Sequence, residues 1–262
     1  MSLSHDSENR NDTRPPATPL YAPVHRRRRG IYILPSLFTT GALFGGFFAI
    51  VQAMQGNFHN AAIAIFAAMI LDGLDGRVAR LVHAQSDFGA EYDSLAEMVS
   101  FGVAPALVIY EWALTDMGRF GWAAAFIYCA GAALRLARFN TNISVIDKRY
   151  FQGLASPAAA ALVAGFVWVM MDFNIEGQRV RWIAAAITLF AGVSMVTNCL
   201  YTSFKGVNLK RRVPFLMIAI LALMIVLVFS FPAIPFALFC IYALSGYGVS
   251  LAHWLRRRKT SP

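Results

Sequence analysis

The sequence predicts an all-α protein: a polytopic membrane bundle of about eight transmembrane helices. Three observations predict it. The chain is 58% hydrophobic and 14% charged, against about 25% charged in soluble domains. Apolar stretches recur along it, most of them long enough for the roughly 20 residues a bilayer requires. Its basic residues fall in short runs between those stretches, as they do in membrane proteins.

Residues 1–29 read as a disordered, basic cytoplasmic tail. Pro15, Pro16, Pro19 and Pro23 stand among Ser, Asn and Asp, a composition that buries too little apolar surface to fold. No cleavable signal peptide is expected. The run His25-Arg26-Arg27-Arg28-Arg29 is a topology anchor placed to meet anionic lipid headgroups. Spans are expected near 31–53, 60–80, 88–110, 120–140, 155–171, 182–203, 213–231 and 235–254. Residues 30–212 are read as the main membrane domain, and 213–262 as two further helices with a basic cytoplasmic tail. Pro35, Pro214 and Pro235 lie near span starts, where a missing N–H costs little. Gly41, Gly45 and Gly46 form a small-residue face suited to close helix packing or to a ligand phosphate.

An even span count puts both termini on one side. With that side cytoplasmic, all of the 23 Lys and Arg except Arg119, Arg179 and Arg181 lie inside, in line with the positive-inside rule. Lys148, Arg149 and the run Lys210-Arg211-Arg212 read as headgroup anchors. The same distribution argues against nucleic acid as the reason for the net charge of +9. Cys129, Cys199 and Cys240 all fall in apolar stretches without CxxC spacing, so they are expected to be small buried hydrophobes rather than disulfides or zinc ligands.

The chemistry concentrates between residues 72 and 97. Six of the 14 acidic residues are here: Asp72, Asp75, Asp87, Glu91, Asp93 and Glu97. Spacings of three and four place side chains on one helix face. Asp72, Asp75, Gly76 and Ala79 therefore share a face at the cytoplasmic end of the second span. Gly89, Asp93 and Glu97 share one at the start of the third. Helices joined by a short loop are antiparallel neighbours, so the two faces converge, with small residues at Gly76, Ala79 and Gly89 leaving room between them. Carboxylates at a membrane edge are expensive and mark function. Oxygen ligands in this number suit a hard divalent cation, Mg2+ or Mn2+, and the phosphates it carries.

The string Asp72-x-x-Asp75-Gly76-x-x-Ala79-Arg80, then Gly89-x-x-x-Asp93-x-x-x-Glu97, resembles the signature of the CDP-alcohol phosphotransferase family. That family joins a CDP-linked lipid to a small alcohol within the membrane. The resemblance implies that Asp72, Asp75 and Asp93, with the acid at 97, hold divalent metal against the diphosphate. Asp72, Gly76, Ala79, Arg80 and Gly89 would line the nucleotide and diphosphate site. Asp93 and Glu97 would be catalytic, with Glu97 the general base. The family normally has Asp where this chain has Glu97, and Pro-Asn where it has Pro35-Ser36.

Three further stretches resemble the bacterial, serine-using branch of the family: Val99 to Pro105, Arg135-Leu-Ala-Arg138-Phe139-Asn140, and Phe151 to Ala159. They imply CDP-diacylglycerol and L-serine as substrates, membrane lipids as surroundings, and a homodimer. Arg135 and Arg138 are the candidate partners for the serine carboxylate, because guanidinium matches carboxylate as a two-pronged donor; positive-inside anchoring or phosphate binding are their other uses. The implied location is the inner (cell) membrane, with the active site and both termini cytoplasmic. Other acceptors, glycerol 3-phosphate or inositol phosphate, and a non-catalytic lipid-binding paralogue remain open. A divalent-cation transporter is disfavoured, since its acids would run across the bilayer.

Overall fold

The computed structural model describes residues 33–81, 86–141, 150–197, 199–202 and 231–260. Helix α1 spans Ile33–Met54 and α2 Phe58–Leu81. A long helical run follows: α3 (Asp87–Glu97), a π segment (Met98–Val103), α4 (Ala104–Ile109), a second π segment (Tyr110–Leu114) and a 3-10 turn (Thr115–Met117). Helix α5 (Gly118–Thr141) leads to strand β1 (Tyr150–Gln152), α6 (Ser156–Asp172), a 3-10 turn (Gly177–Val180), α7 (Arg181–Val196) and strand β2 (Leu200–Thr202). Helix α8 is Ala233–Thr260.

Among the described residues, Ser36–Met54, Phe58–Gly76, Asp87–Thr141 and Gly177–Val196 are long and apolar enough to cross a membrane. Ser156–Asp172 and Ala233–Gly248 are shorter apolar helices. Each expected span overlaps a helix except 213–231, of which only Phe231 is described; the tail 1–29, Lys148, Arg149 and Lys210 to Arg212 also lie outside the described residues.

The run Asp87–Thr141 folds back on itself at Gly118. This residue has φ +55°, a conformation that glycine adopts without a Cβ clash. Three cross-contacts show the antiparallel pairing: Asn140 with Ser94 (3.1 Å), Arg135 with Glu97 (3.1 Å) and Tyr128 with Phe101 (2.9 Å). At the turn, a Cβ on Gly121 would stand 2.0 Å from the Leu114 carbonyl oxygen.

The first π segment has a cause in the sequence. Pro105 has no N–H, so the Phe101 carbonyl four residues earlier loses its helical donor. The Tyr128 hydroxyl donates to that carbonyl at 2.9 Å from a fully buried position. Tyr128→Phe strands a buried carbonyl and is expected to cost about 1–3 kcal/mol of stability, read as a lowered unfolding midpoint in detergent.

The core is built largely from alanine, with Trp168, Tyr128, Phe101 and Ile65 as its largest fully buried side chains. Small residues set the helix spacing. A Cβ on Gly46 would lie 2.5 Å from Ser100 Cα, and one on Gly131 2.4 Å from the Gly192 carbonyl oxygen. Gly41 and Gly45 face Leu71 and Ala68 of α2. The glycine face of α1 is therefore occupied by helix packing, the first of the two uses expected for it. Buried hydroxyls are paired, as buried polar groups generally are: Ser100 donates to Ala42 O (2.9 Å), Thr188 to Ala184 O (2.7 Å), and Ser194 meets Tyr247 of α8 (2.8 Å).

One expected boundary needs correction. The sixth span is expected at 182–203, but α7 ends at Val196 and Thr197 turns extended, with ψ 154°. The chain then pairs β2 antiparallel with β1, Phe151 opposite Tyr201. Hydropathy alone does not separate an apolar strand from the end of an apolar helix. Cys199 accordingly lies outside any helix, and all three cysteines are free and only partly buried.

Candidate active site

The site sits where one end of the bundle gathers the start of α1, the end of α2, the start of α3, the end of α5 and the start of α6. Antiparallel connection brings these ends together, and the side chains confirm it in pairs. Thr39 of α1 donates to Asp75 Oδ2 of α2 at 2.9 Å. Thr40 of α1 meets the Tyr92 hydroxyl of α3 at 2.9 Å. Arg135 of α5 reaches both Glu97 of α3 and Ser156 at the start of α6.

Helix α3 starts cleanly because Ser86 caps it. Its hydroxyl accepts from the Gly89 N–H at 3.0 Å, satisfying one of the donors that a helix start leaves open. That cap fixes the phase of the helix and so the direction of Asp93 and Glu97, one and two turns further on. A Cβ on Gly89 would stand 3.1 Å from the Ser86 hydroxyl. Gly89 therefore makes room first for its own cap. Gly73 and Gly76 of α2 face open space, with nothing within 4 Å of an added Cβ.

Asp72, Asp75 and Asp93 converge: each offers a carboxylate oxygen, and these atoms lie within 4.8 Å of one another. Asp75 is only 6% exposed. Asp93 Oδ1 is buried and has no hydrogen-bond partner. Such an orphaned acceptor is costly, and three carboxylates this close repel one another. A divalent cation answers both problems, since its oxygen ligands are carboxylates held at such spacing. The residues present therefore fit a hard divalent cation.

Glu97, expected among the ligands as well as as the base, is not part of that three-carboxylate group. Its Oε1 accepts from Arg135 Nη1 at 3.1 Å, with side chains 17% and 14% exposed. The same Nη1 donates to the buried Ser156 hydroxyl. Neither bond uses Nη2 or Nε of the guanidinium, which has five donors in all. Arg138 takes a different place: its Nη1 points to the Val196 carbonyl at 3.4 Å, where a cation complements the end of α7. Ala79 and Arg80 lie in the last turn of α2, and their side chains are outside the described residues.

Sequence reasoning missed three contributors, Thr39, Thr40 and Ser156. A hydroxyl in an apolar helix is commonly satisfied by its own backbone, so the adjacent Thr39 and Thr40 carry no signal by themselves. Ser156 stands before Pro157 in one of the singled-out stretches, but its partner lies 21 residues away in sequence.

The geometry is that of three converging carboxylates suited to a hard divalent cation. The chain belongs to the CDP-alcohol phosphatidyltransferase family, whose match spans residues 32–196. Within that family it is similar to proteins named CDP-diacylglycerol--serine O-phosphatidyltransferase. The one from Helicobacter pylori strain 26695 is 37% identical over 215 residues, 82% of this chain and 90% of the relative. That from Mycobacterium tuberculosis H37Rv is 35% identical over 205 residues, 76% of this chain and 71% of the relative. That from Bacillus subtilis strain 168 is 36% identical over 141 residues, 54% of this chain and 76% of the relative.

Proposed function

We propose that this protein is an integral membrane enzyme that transfers the phosphatidyl group of CDP-diacylglycerol to the hydroxyl of L-serine, giving phosphatidylserine and CMP. The observation that carries the reading is the cluster of Asp72, Asp75 and Asp93, with an unpaired buried oxygen on Asp93, in a chain of this family. When bound there, Mg2+ or Mn2+ supplies positive charge against the diphosphate and the departing CMP.

The chain's own residues do the rest. Phosphoryl transfer is mostly positioning and charge stabilisation. A bond forms between the serine oxygen and the phosphorus of the lipid phosphate, and the bond from that phosphorus to CMP breaks. Glu97 takes the serine hydroxyl's proton as general base. Arg135, beside Glu97, presents its remaining donors to the serine carboxylate, and Arg138 lies one helical turn further along α5. Asp72, Gly76, Ala79, Arg80 and Gly89 line the nucleotide and diphosphate side. The protein spans the inner membrane about eight times as a homodimer, with the site and both termini cytoplasmic.

An acceptor panel tests this. Purified protein in detergent is given CDP-diacylglycerol, Mg2+ or Mn2+, and serine, glycerol 3-phosphate or inositol phosphate, and CMP is measured. CMP release that requires serine is expected. Release with a phosphate-bearing acceptor alone would overturn the serine assignment while keeping the site. Absence of release with every acceptor would point to a non-catalytic lipid-binding protein.

A further inference from the structure

The adjacent threonines of α1 reach two different helices. Consecutive helix residues point about 100° apart, and here Thr39 faces α2 while Thr40 faces α3. Thr39 is 5% exposed and donates to Asp75 Oδ2 across 36 residues of sequence. Thr40 donates to Ser36 O at 2.7 Å within its own helix and meets the Tyr92 hydroxyl at 2.9 Å. Tyr92 precedes Asp93 in α3, and its ring stacks on Phe88 one turn earlier, with centroids 6.1 Å apart. One helix that carries none of the clustered carboxylates thus holds both helices that do.

We propose that Thr39 and Thr40 are positioning residues for the divalent cation: Thr39 orients the Asp75 carboxylate, and Thr40, through Tyr92, fixes α3 so that Asp93 meets Asp72 and Asp75. This rests on reading the carboxylate cluster as a cation site. A carboxylate has two oxygens and about four acceptor positions. The Thr39 hydroxyl occupies one of these on Oδ2 and restrains the group's rotation. Partners of metal ligands commonly act this way, and their loss typically costs 10- to 100-fold in metal affinity. Helix α1 also packs against the first π segment through Gly46 and Ser100. Gly46 stands seven residues, about two turns, beyond Thr39, so this close backbone contact helps set the height and phase of the helix that carries the threonines.

The test is direct binding of Mn2+ to the purified full-length protein in detergent, read from the loss of the free-ion electron spin resonance signal. It is run without substrate and again with CDP-diacylglycerol, so turnover plays no part. Thr39→Val is expected to weaken Mn2+ binding by about 10- to 100-fold, and Thr39→Ser, which restores the hydroxyl, to remain within about threefold of the parent. Thr40→Val is expected to weaken binding in the same direction. Thr39→Ala serves in place of Thr39→Val should the latter not fold.

A purely structural threonine would lower the metal-free unfolding midpoint and leave Mn2+ affinity unchanged. Parent-like affinity in Thr39→Val, or affinity in Thr39→Ser as weak as in Thr39→Val, would overturn the positioning role alone. A parent protein that takes up no Mn2+ under either condition would overturn the cation reading and this inference with it.

Discussion

Asp93→Asn is expected to lower metal-dependent CMP release by at least about 10³-fold, a loss of about 4 kcal/mol of transition-state stabilisation. Asn preserves the size of the side chain and removes its charge. The buried, unpartnered Asp93 Oδ1 is the atom whose environment most clearly lacks a counter-charge. Asp72→Asn and Asp75→Asn should fall as far, because the three carboxylates form one group and losses within such a unit do not add. Cys129→Ala, a half-buried thiol with no partner role, should retain parent activity. The stability effect has the opposite sign. Without metal, removing one of three mutually repelling carboxylates relieves strain, so Asp93→Asn should unfold in EDTA no earlier than the parent. A ligand that binds only the folded state raises its stability, so the parent should gain unfolding midpoint on adding Mn2+ and the variant should not. Full activity in all three Asn variants would remove the cation site from the account.

The second large effect concerns Glu97. Glu97→Gln keeps the shape and an acceptor for Arg135 but cannot take a proton, so kcat should fall by about 10²- to 10⁴-fold, the usual contribution of a positioned base. Glu97→Asp restores the acid that the family normally carries here, and activity should be preserved or raised. Glu97→Ala also breaks the nearly buried pair with Arg135; breaking such a pair costs up to about 3–5 kcal/mol in stability. The Gln variant therefore separates catalysis from folding, with equal kcat in Glu97→Gln and the parent the outcome that removes Glu97 as base. Arg135→Lys replaces a planar fork with a point charge and should raise the KM for serine about tenfold or more while leaving that for CDP-diacylglycerol near the parent value. An unchanged serine KM would assign Arg135 to holding Glu97 and Ser156 alone.

Different parts of the molecule were readable in the sequence for different physical reasons. Asp72, Asp75 and Asp93 could be brought together in advance because helical spacing and a short connection are local facts. The helices themselves could be found because a bilayer selects length and apolarity. The pairing of Arg135 with Glu97 could not, since it joins residues 38 apart in sequence through the fold-back at Gly118. Glu97 consequently stands beside a guanidinium rather than inside the carboxylate group in which the family resemblance had also placed it. Thr39 was silent for a similar reason: its partner is on another helix. The π segment at Met98–Val103 departs from the 3.6-residue period on which pattern reading depends, although Pro105 marks its place. The boundary at Val196 was overrun because residues 197–203 carry no charge and have Cys199, Leu200 and Tyr201 at their centre, yet Leu200–Thr202 pairs with β1.

The most direct measurement is transfer of labelled L-serine into lipid by the purified protein in detergent with CDP-diacylglycerol. The account predicts that label enters the organic phase with an equal amount of CMP released, that EDTA abolishes both, and that excess Mg2+ or Mn2+ restores them. Label incorporation that persists in EDTA, or CMP release without any labelled lipid, would contradict it.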